Sequence, residues 1–156
     1  MALRNVVTEG DPILEKKCRE VERFDEKLSQ LIDDMIETMR DKNGVGIAAP
    51  QVGILRQICV MEPEPGMVTE LINPIIVDAK GEQEGYEGCL SVPGYIGKVT
   101  RPTYLKIRAQ TRTGAQETYE FEGFAAVVAS HETDHLQGIL YTSKAEDIHI
   151  PEEAGE

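Results

Sequence analysis

The segment His131-Glu132-Thr133-Asp134-His135 constrains this chain more than any other. Residues four apart lie on one face of an α-helix, so a helix here turns both imidazoles toward one point. Two imidazoles so placed can bind one metal ion. Glu132 sits beside that face and can contact a water at the metal, the pattern of metal hydrolases. The chain has only three histidines and two fall in this segment, which makes a chance coincidence a poor account of it. Any fold for this sequence has to include a helix across these residues.

The periodicity around it predicts an α+β domain. Leu28, Leu31, Ile32, Met35, Ile36 and Met39 repeat at i, i+3, i+4 and predict a helix from Asp25 to about Asp41. Asp25 can cap its start, and Asn43-Gly44 can end it. Strands are expected at Arg56–Met61, at Val68–Ile76 with a break at Asn73-Pro74, at Tyr104–Gln110 and at Glu117–Phe121. The last two are joined as a hairpin through Thr113-Gly114-Ala115-Gln116. The histidine helix begins near Gly123 and ends by Gly138. The layout is a single compact domain of mainly antiparallel strands around the central helix, plus an N-terminal helix. At 156 residues, with no repeat and no long linker, one domain is expected. It covers residues 1–144. Ala145–Glu156 reads as a short, acidic, frayed tail.

Charge excludes some partners. Sixteen Lys and Arg against 28 Asp and Glu give a net charge of −12. A phosphate-driven nucleic-acid binder shows the opposite balance, and an anionic membrane surface would repel this chain. The N-terminus lacks a long apolar stretch, and no apolar run approaches the ~20 residues of a membrane span. The expected location is cytoplasmic.

A catalytic metal usually takes three protein ligands and leaves one position for water. Downstream of the histidines the candidates for the third ligand are poor. Tyr141 stands where one protease class has its third histidine. Glu146, Asp147 and His149 lie in the acidic tail. Upstream, Cys89 lies in the compact segment Glu87-Gly88-Cys89-Leu90-Ser91-Val92-Pro93-Gly94, and a thiolate beside two histidines completes a known catalytic set. Cys59 sits in an apolar strand and is expected to be buried. Cys18 follows Lys16-Lys17 and is expected at the surface or an edge. The glycine-rich stretch Gly44–Gly53 carries no phosphate-loop Lys-Ser/Thr. In it Gln51 can donate to a developing oxyanion, and Gly46 lets a substrate backbone come close.

Together these segments resemble the peptide deformylase family. The family's Gly-x-Gly-x-Ala-Ala-x-Gln is matched by Gly44, Gly46, Ala48, Ala49 and Gln51. Its Glu-Gly-Cys-Leu-Ser is matched by Glu87 to Ser91, and its His-Glu-x-x-His by His131, Glu132 and His135, with Asp134 before the second histidine. Gly10-Asp11-Pro12-Ile13-Leu14 is similar as well, and the resemblance spans Val6 to Tyr141. It implies a metal-dependent hydrolase that removes formate from the N-terminal formyl-methionine of newly made polypeptides. It implies one divalent metal, natively Fe²⁺ and replaceable by Ni²⁺, Co²⁺ or Zn²⁺, held by Cys89, His131 and His135. Water activated there attacks the formyl carbonyl, with Glu132 as general acid and base. The Gln51 side chain and the Leu90 backbone N–H stabilise the oxyanion. The peptide adds alongside a strand near Gly46 and Gly88, and its methionine enters a pocket lined by Val45, Val127 and Val128. Asp134 is expected to pair with Arg101. Ser130, Thr133 and the acidic C-terminus depart from the family pattern. Some members dock on the ribosome through a basic C-terminal helix, and this tail does not suit that role. Two other readings stand beside this one: a zinc endopeptidase with a downstream ligand, and a structural metal clamp without activity.

Overall fold

The computed structural model describes residues 2–151. The first long helix, α1, runs from Glu26 to Asp41. The Asp25 carboxylate accepts from Leu28 N at 3.0 Å and caps it. Leu28, Ile32, Met35 and Met39 are buried along one stripe. At the other end Asn43 takes the left-handed backbone, at φ 57°, and Gly44 N donates to Met39 O at 2.9 Å.

Five antiparallel strands form the larger sheet: β1 (Gly46–Ala48), β2 (Ile58–Met61), β3 (Thr69–Lys80), β6 (Tyr104–Gln110) and β7 (Gln116–Glu122), in the order β1-β2-β3-β6-β7. The second helix, α2, spans Phe124–Leu136 and stops short of Gly138, at φ 78°. The two helices cover opposite faces of the sheet. Ile58, Val60 and Ile72 pack with α1, while their neighbours Cys59, Met61 and Leu71 pack with Ala126, Val128, Ala129 and Leu136 of α2. Successive strand residues point to opposite faces, so β2 is apolar and buried at every position.

A smaller antiparallel sheet joins β4 (Gln83–Cys89), β5 (Val92–Arg101) and β8 (Glu146–His149), with β5 in the middle. It closes over the polar side of α2.

The structure differs from the sequence reading in several places, among them a short strand, β1, inside the glycine-rich stretch. The expected break at Asn73-Pro74 is a register shift within one strand, β3, between Ile72 and Ile75. Asn73 stands at φ 52°. Its side chain stands in for a strand partner, accepting from Val21 N at 2.7 Å and donating to Val21 O at 3.0 Å. Cys18 is not at the surface: it is 5% exposed and belongs to the α2 core. Lys16 and Lys17 are exposed, but the chain then turns inward and Cys18 N donates to Leu136 O at 2.9 Å. The tail is not frayed throughout, since Glu146–His149 pairs with β5. Its side chains are exposed, and the pairing rests on backbone groups to which composition is blind. Residues 152–156 lie outside the described residues. Finally, β4 and β5 occupy a stretch in which no strands were expected.

Candidate active site

The small sheet and α2 meet at a donor cluster. Cys89 ends β4, and a two-residue turn, Leu90-Ser91, leads to Val92 directly opposite it. His131 and His135 project from α2 one turn apart. Cys89 Sγ lies 3.4 Å from His135 Nε2, which lies 3.2 Å from His131 Nε2. One donor atom from each residue falls within 4.8 Å of the other two. The predicted set is therefore brought together. Tyr141 contributes no donor: it is buried, and its ring packs on that of His131 at 5.9 Å.

Glu87 was named only as part of a motif, yet it organises this centre. It lies two residues before Cys89 in β4, with a register shift in the pairing to β5 between them. Its Oε1 is 2.8 Å from His131 Nδ1, leaving Nε2 for the cluster. Arg101 grips the same carboxylate through Nε and Nη2, each at 2.9 Å. As expected, Arg101 also pairs with Asp134, Nη1 to Oδ2 at 2.7 Å. Lys144 Nζ reaches that oxygen at 2.9 Å. Burial opposes ionisation of Glu87, but the hydrogen bonds from His131 and Arg101 outweigh it and hold its pKa below the usual carboxylate range. Spacing alone does not expose this role, because Glu87 meets His131 only in the folded chain.

The electrostatics suit a cation. Burial disfavours charge on His131, yet bonds to Cys89 and Glu87 and the nearby Glu132 raise its pKa to about 10. The sulfur and carboxylates that favour a positive charge on this ring also favour a metal cation beside it. Burial, then the neighbouring His131 and Arg101, hold His135 well below its ordinary value, a neutral imidazole ready to ligate. Two imidazoles and one sulfur fit a divalent metal with an open position.

Glu132 is buried and its Oε1 has no partner among the described residues. Burial pushes its pKa up to about 7. Gly46 lies against it: a Cβ there would collide with the Glu132 carboxylate. Gln51 is fixed at both ends of its amide. Its Oε1 accepts from Ala48 N at 2.9 Å, and its Nε2 donates to Ser91 Oγ at 3.1 Å and points at Cys89 Sγ, 3.5 Å away.

A cavity of about 680 Å³ opens over the cluster. Val45, Gly46, Gln51, Gly88, Cys89, Leu90, Val127, Val128, His131 and Glu132 line it, so every predicted site residue except His135 faces this space. His135 is fully buried. Tyr86, Tyr95 and Phe124, which the sequence reading did not single out, form part of its wall.

The sequence profile of the family described as polypeptide deformylase matches residues 3–150. The chain belongs to the polypeptide deformylase family. A peptide deformylase of Agathobacter rectalis is 51% identical, over 94% of this chain and 92% of that protein. Peptide deformylase 1 of Bacillus subtilis is 45% identical, over 98% and 96%. The crystal structure of peptide deformylase from Thermotoga maritima superposes with a TM-score of 0.90 at 38% identity, covering 92% of this chain and 98% of that one. As a deformylase, the chain is a metal-dependent hydrolase acting on the formylated N-terminal methionine of polypeptides. Among the described residues no helix is long and apolar enough to cross a membrane.

Proposed function

We propose that Cys89, His131 and His135 hold the metal and that Glu132 moves the protons in formate release from N-formyl-methionyl peptides. The observation that carries this reading is Glu132: a buried carboxyl, at about pKa 7, with an unpartnered oxygen beside the donor cluster. A pKa near the working pH lets one group accept a proton from water and return it to the leaving amine. The metal, when bound, supplies Lewis acidity and lowers the pKa of water in its coordination sphere.

The other side chains bind and orient. Gln51, already held by Ala48 and Ser91, presents its N–H₂ beside Cys89. With the Leu90 backbone N–H it stabilises the charge developing on the formyl oxygen. Gly46 and Gly88 leave room for the peptide backbone along β4, and Val45, Val127 and Val128 take the methionine side chain. Glu87 and Arg101 fix the tautomer and tilt of His131.

Fe²⁺ is the native ion in this reading, as the family resemblance implies, and the thiolate and imidazoles can also take Zn²⁺, Ni²⁺ or Co²⁺. Residues 1–144 carry all of this machinery. The enzyme acts in the cytoplasm on nascent chains close to the ribosome, and the acidic residues 145–156 are not a ribosomal anchor, since ribosomal RNA repels them. The test is formate release from formyl-Met-Ala. Glu132→Ala is expected to keep its metal and lose turnover by about 10²–10⁴. Turnover surviving in that variant would remove Glu132 from the mechanism.

A further inference from the structure

Residues 2–11 do not line the cavity, and the chemistry above gives them no part. Yet this segment is tied down at both ends and bonded in its middle to the site. Ala2 N donates to Asp34 Oδ1 at 2.8 Å and Arg4 N to Thr38 Oγ1 at 3.0 Å, both on α1. Further on, the Asp11 carboxylate accepts from Ile13 N at 3.1 Å and caps a short 3₁₀ helix, Pro12–Glu15, whose Leu14 is buried. Between these anchors two backbone N–H groups reach the loops that carry Gln51 and Leu90. Val7 N donates to Gln51 O at 2.7 Å, and Glu9 N to Ser91 O at 2.7 Å. Gln51 and Ser91 are both buried, where a carbonyl without a donor is costly. They are also joined to each other, Gln51 Nε2 to Ser91 Oγ at 3.1 Å. Three segments distant in sequence thus close one ring of hydrogen bonds.

We infer that residues 7–9 are a strap that sets the oxyanion hole, with Val7 and Glu9 as positioning residues for the Gln51 amide and the Leu90 N–H. This rests on the reading in which those two groups stabilise the charge on the formyl oxygen. Donors aimed at a developing charge are effective because they are already fixed when it appears. A misplacement of about 1 Å can cost about 10²-fold in rate. Gln51 sits in a single 3₁₀ turn, Ala49–Val52, and Leu90 in the two-residue turn between Cys89 and Val92. Neither element is long enough to hold its donor to that tolerance alone. The strap grips both by their backbones and sets the distance between them.

The turn that follows lets the strap be cut at one bond. Asp11 N donates to Thr8 O at 3.2 Å and Gly10 stands at φ 102°. This is a type II turn in which Glu9 occupies the position that proline favours. Glu9 is exposed, so Glu9→Pro suits the backbone, leaves the core untouched and removes the N–H given to Ser91 O. The holoenzyme is assayed with formyl-Met-Ala, and rates are taken per bound metal, so unfolded molecules do not count. In Glu9→Pro kcat is expected to fall about 10–100-fold. KM, and metal affinity from chelator competition, should stay within about twofold of wild type. Glu9→Ala restores the N–H and should return kcat to within about twofold. In a Gln51→Ala background Glu9→Pro should cost about threefold or less, because the amide it positions is gone. An unchanged kcat in Glu9→Pro, a metal affinity that falls with kcat, or the full loss repeated in the Gln51→Ala background would overturn the strap. Wild-type kcat in Gln51→Ala alone would instead overturn the oxyanion reading beneath it.

Discussion

The two sheets of this protein are held together by different physics. In the five-stranded sheet Leu71, Ile72, Leu105 and Ile107 are almost wholly buried between the two helices. In the three-stranded sheet the buried positions that matter include Glu87 and Arg101, tied to Asp134 and His131 on α2. The first sheet is secured by apolar area and tolerates exchange of one hydrophobe for another. The second is secured by charge in a dry environment, where each partner is costly to leave alone. The lesson is a difference in cement: apolar area secures one sheet and a buried ionic network the other, joined through the two faces of α2.

The largest expected break in this comparison comes from Arg101→Met. It leaves the buried Glu87 and part-buried Asp134 carboxylates without their guanidinium, and about 3–5 kcal/mol of stability should go. Denaturant unfolding of the metal-loaded protein measures it; a loss below 1 kcal/mol would mean that water already screens the network. Next is Ile107→Ala, a cavity in the other sheet, expected to cost about 2–5 kcal/mol. Its kcat per folded molecule should stay at the wild-type value, and a fall in kcat would show that the sheets are not separable. Glu87→Gln should keep a hydrogen-bond acceptor for His131 yet weaken metal affinity by about 10–100-fold; a chelator competition titration reads this directly.

The smallest effect concerns pH. Burial raises the Cys18 thiol to about 11 from its ordinary 9.0. An acid whose folded pKa is the higher one holds its proton more tightly when folded. Its stabilising contribution is full below pH 9 and is lost as pH rises through 11. Thermal melts of Cys18→Ala should therefore fall less steeply between pH 9 and 11 than those of the wild type, and parallel slopes would refute the assignment.

This same division decides what the sequence reveals. α1, β6 and β7 are legible because a covered face demands apolar residues at a fixed period, and α2 is legible from its histidine spacing and flanking glycines. The run Gln83-Glu84-Gly85-Tyr86-Glu87-Gly88-Cys89 has no such period, because β4 covers polar chemistry rather than a core. β8 is exposed at every residue and reads as tail. The donors Cys89, His131 and His135 could be named from residue type, spacing and elimination. Glu87 could not, since its carboxylate bonds to His131, 44 positions along the chain. Cys18 shows the reverse error: two lysines advertise solvent while the thiol after them is core.

The separation of the donors has a consequence for the order of events in the life of the chain. Cys89 and His135 stand 46 positions apart and on different elements. Contacts between distant residues are slow to form, because loop closure precedes any reward. During synthesis the thiol emerges long before either imidazole, and nothing can grip an ion until α2 has emerged and docked against the small sheet. Metal capture is thus a late, whole-domain event. An ion gripped by all three groups therefore requires that α2 has already docked against the small sheet.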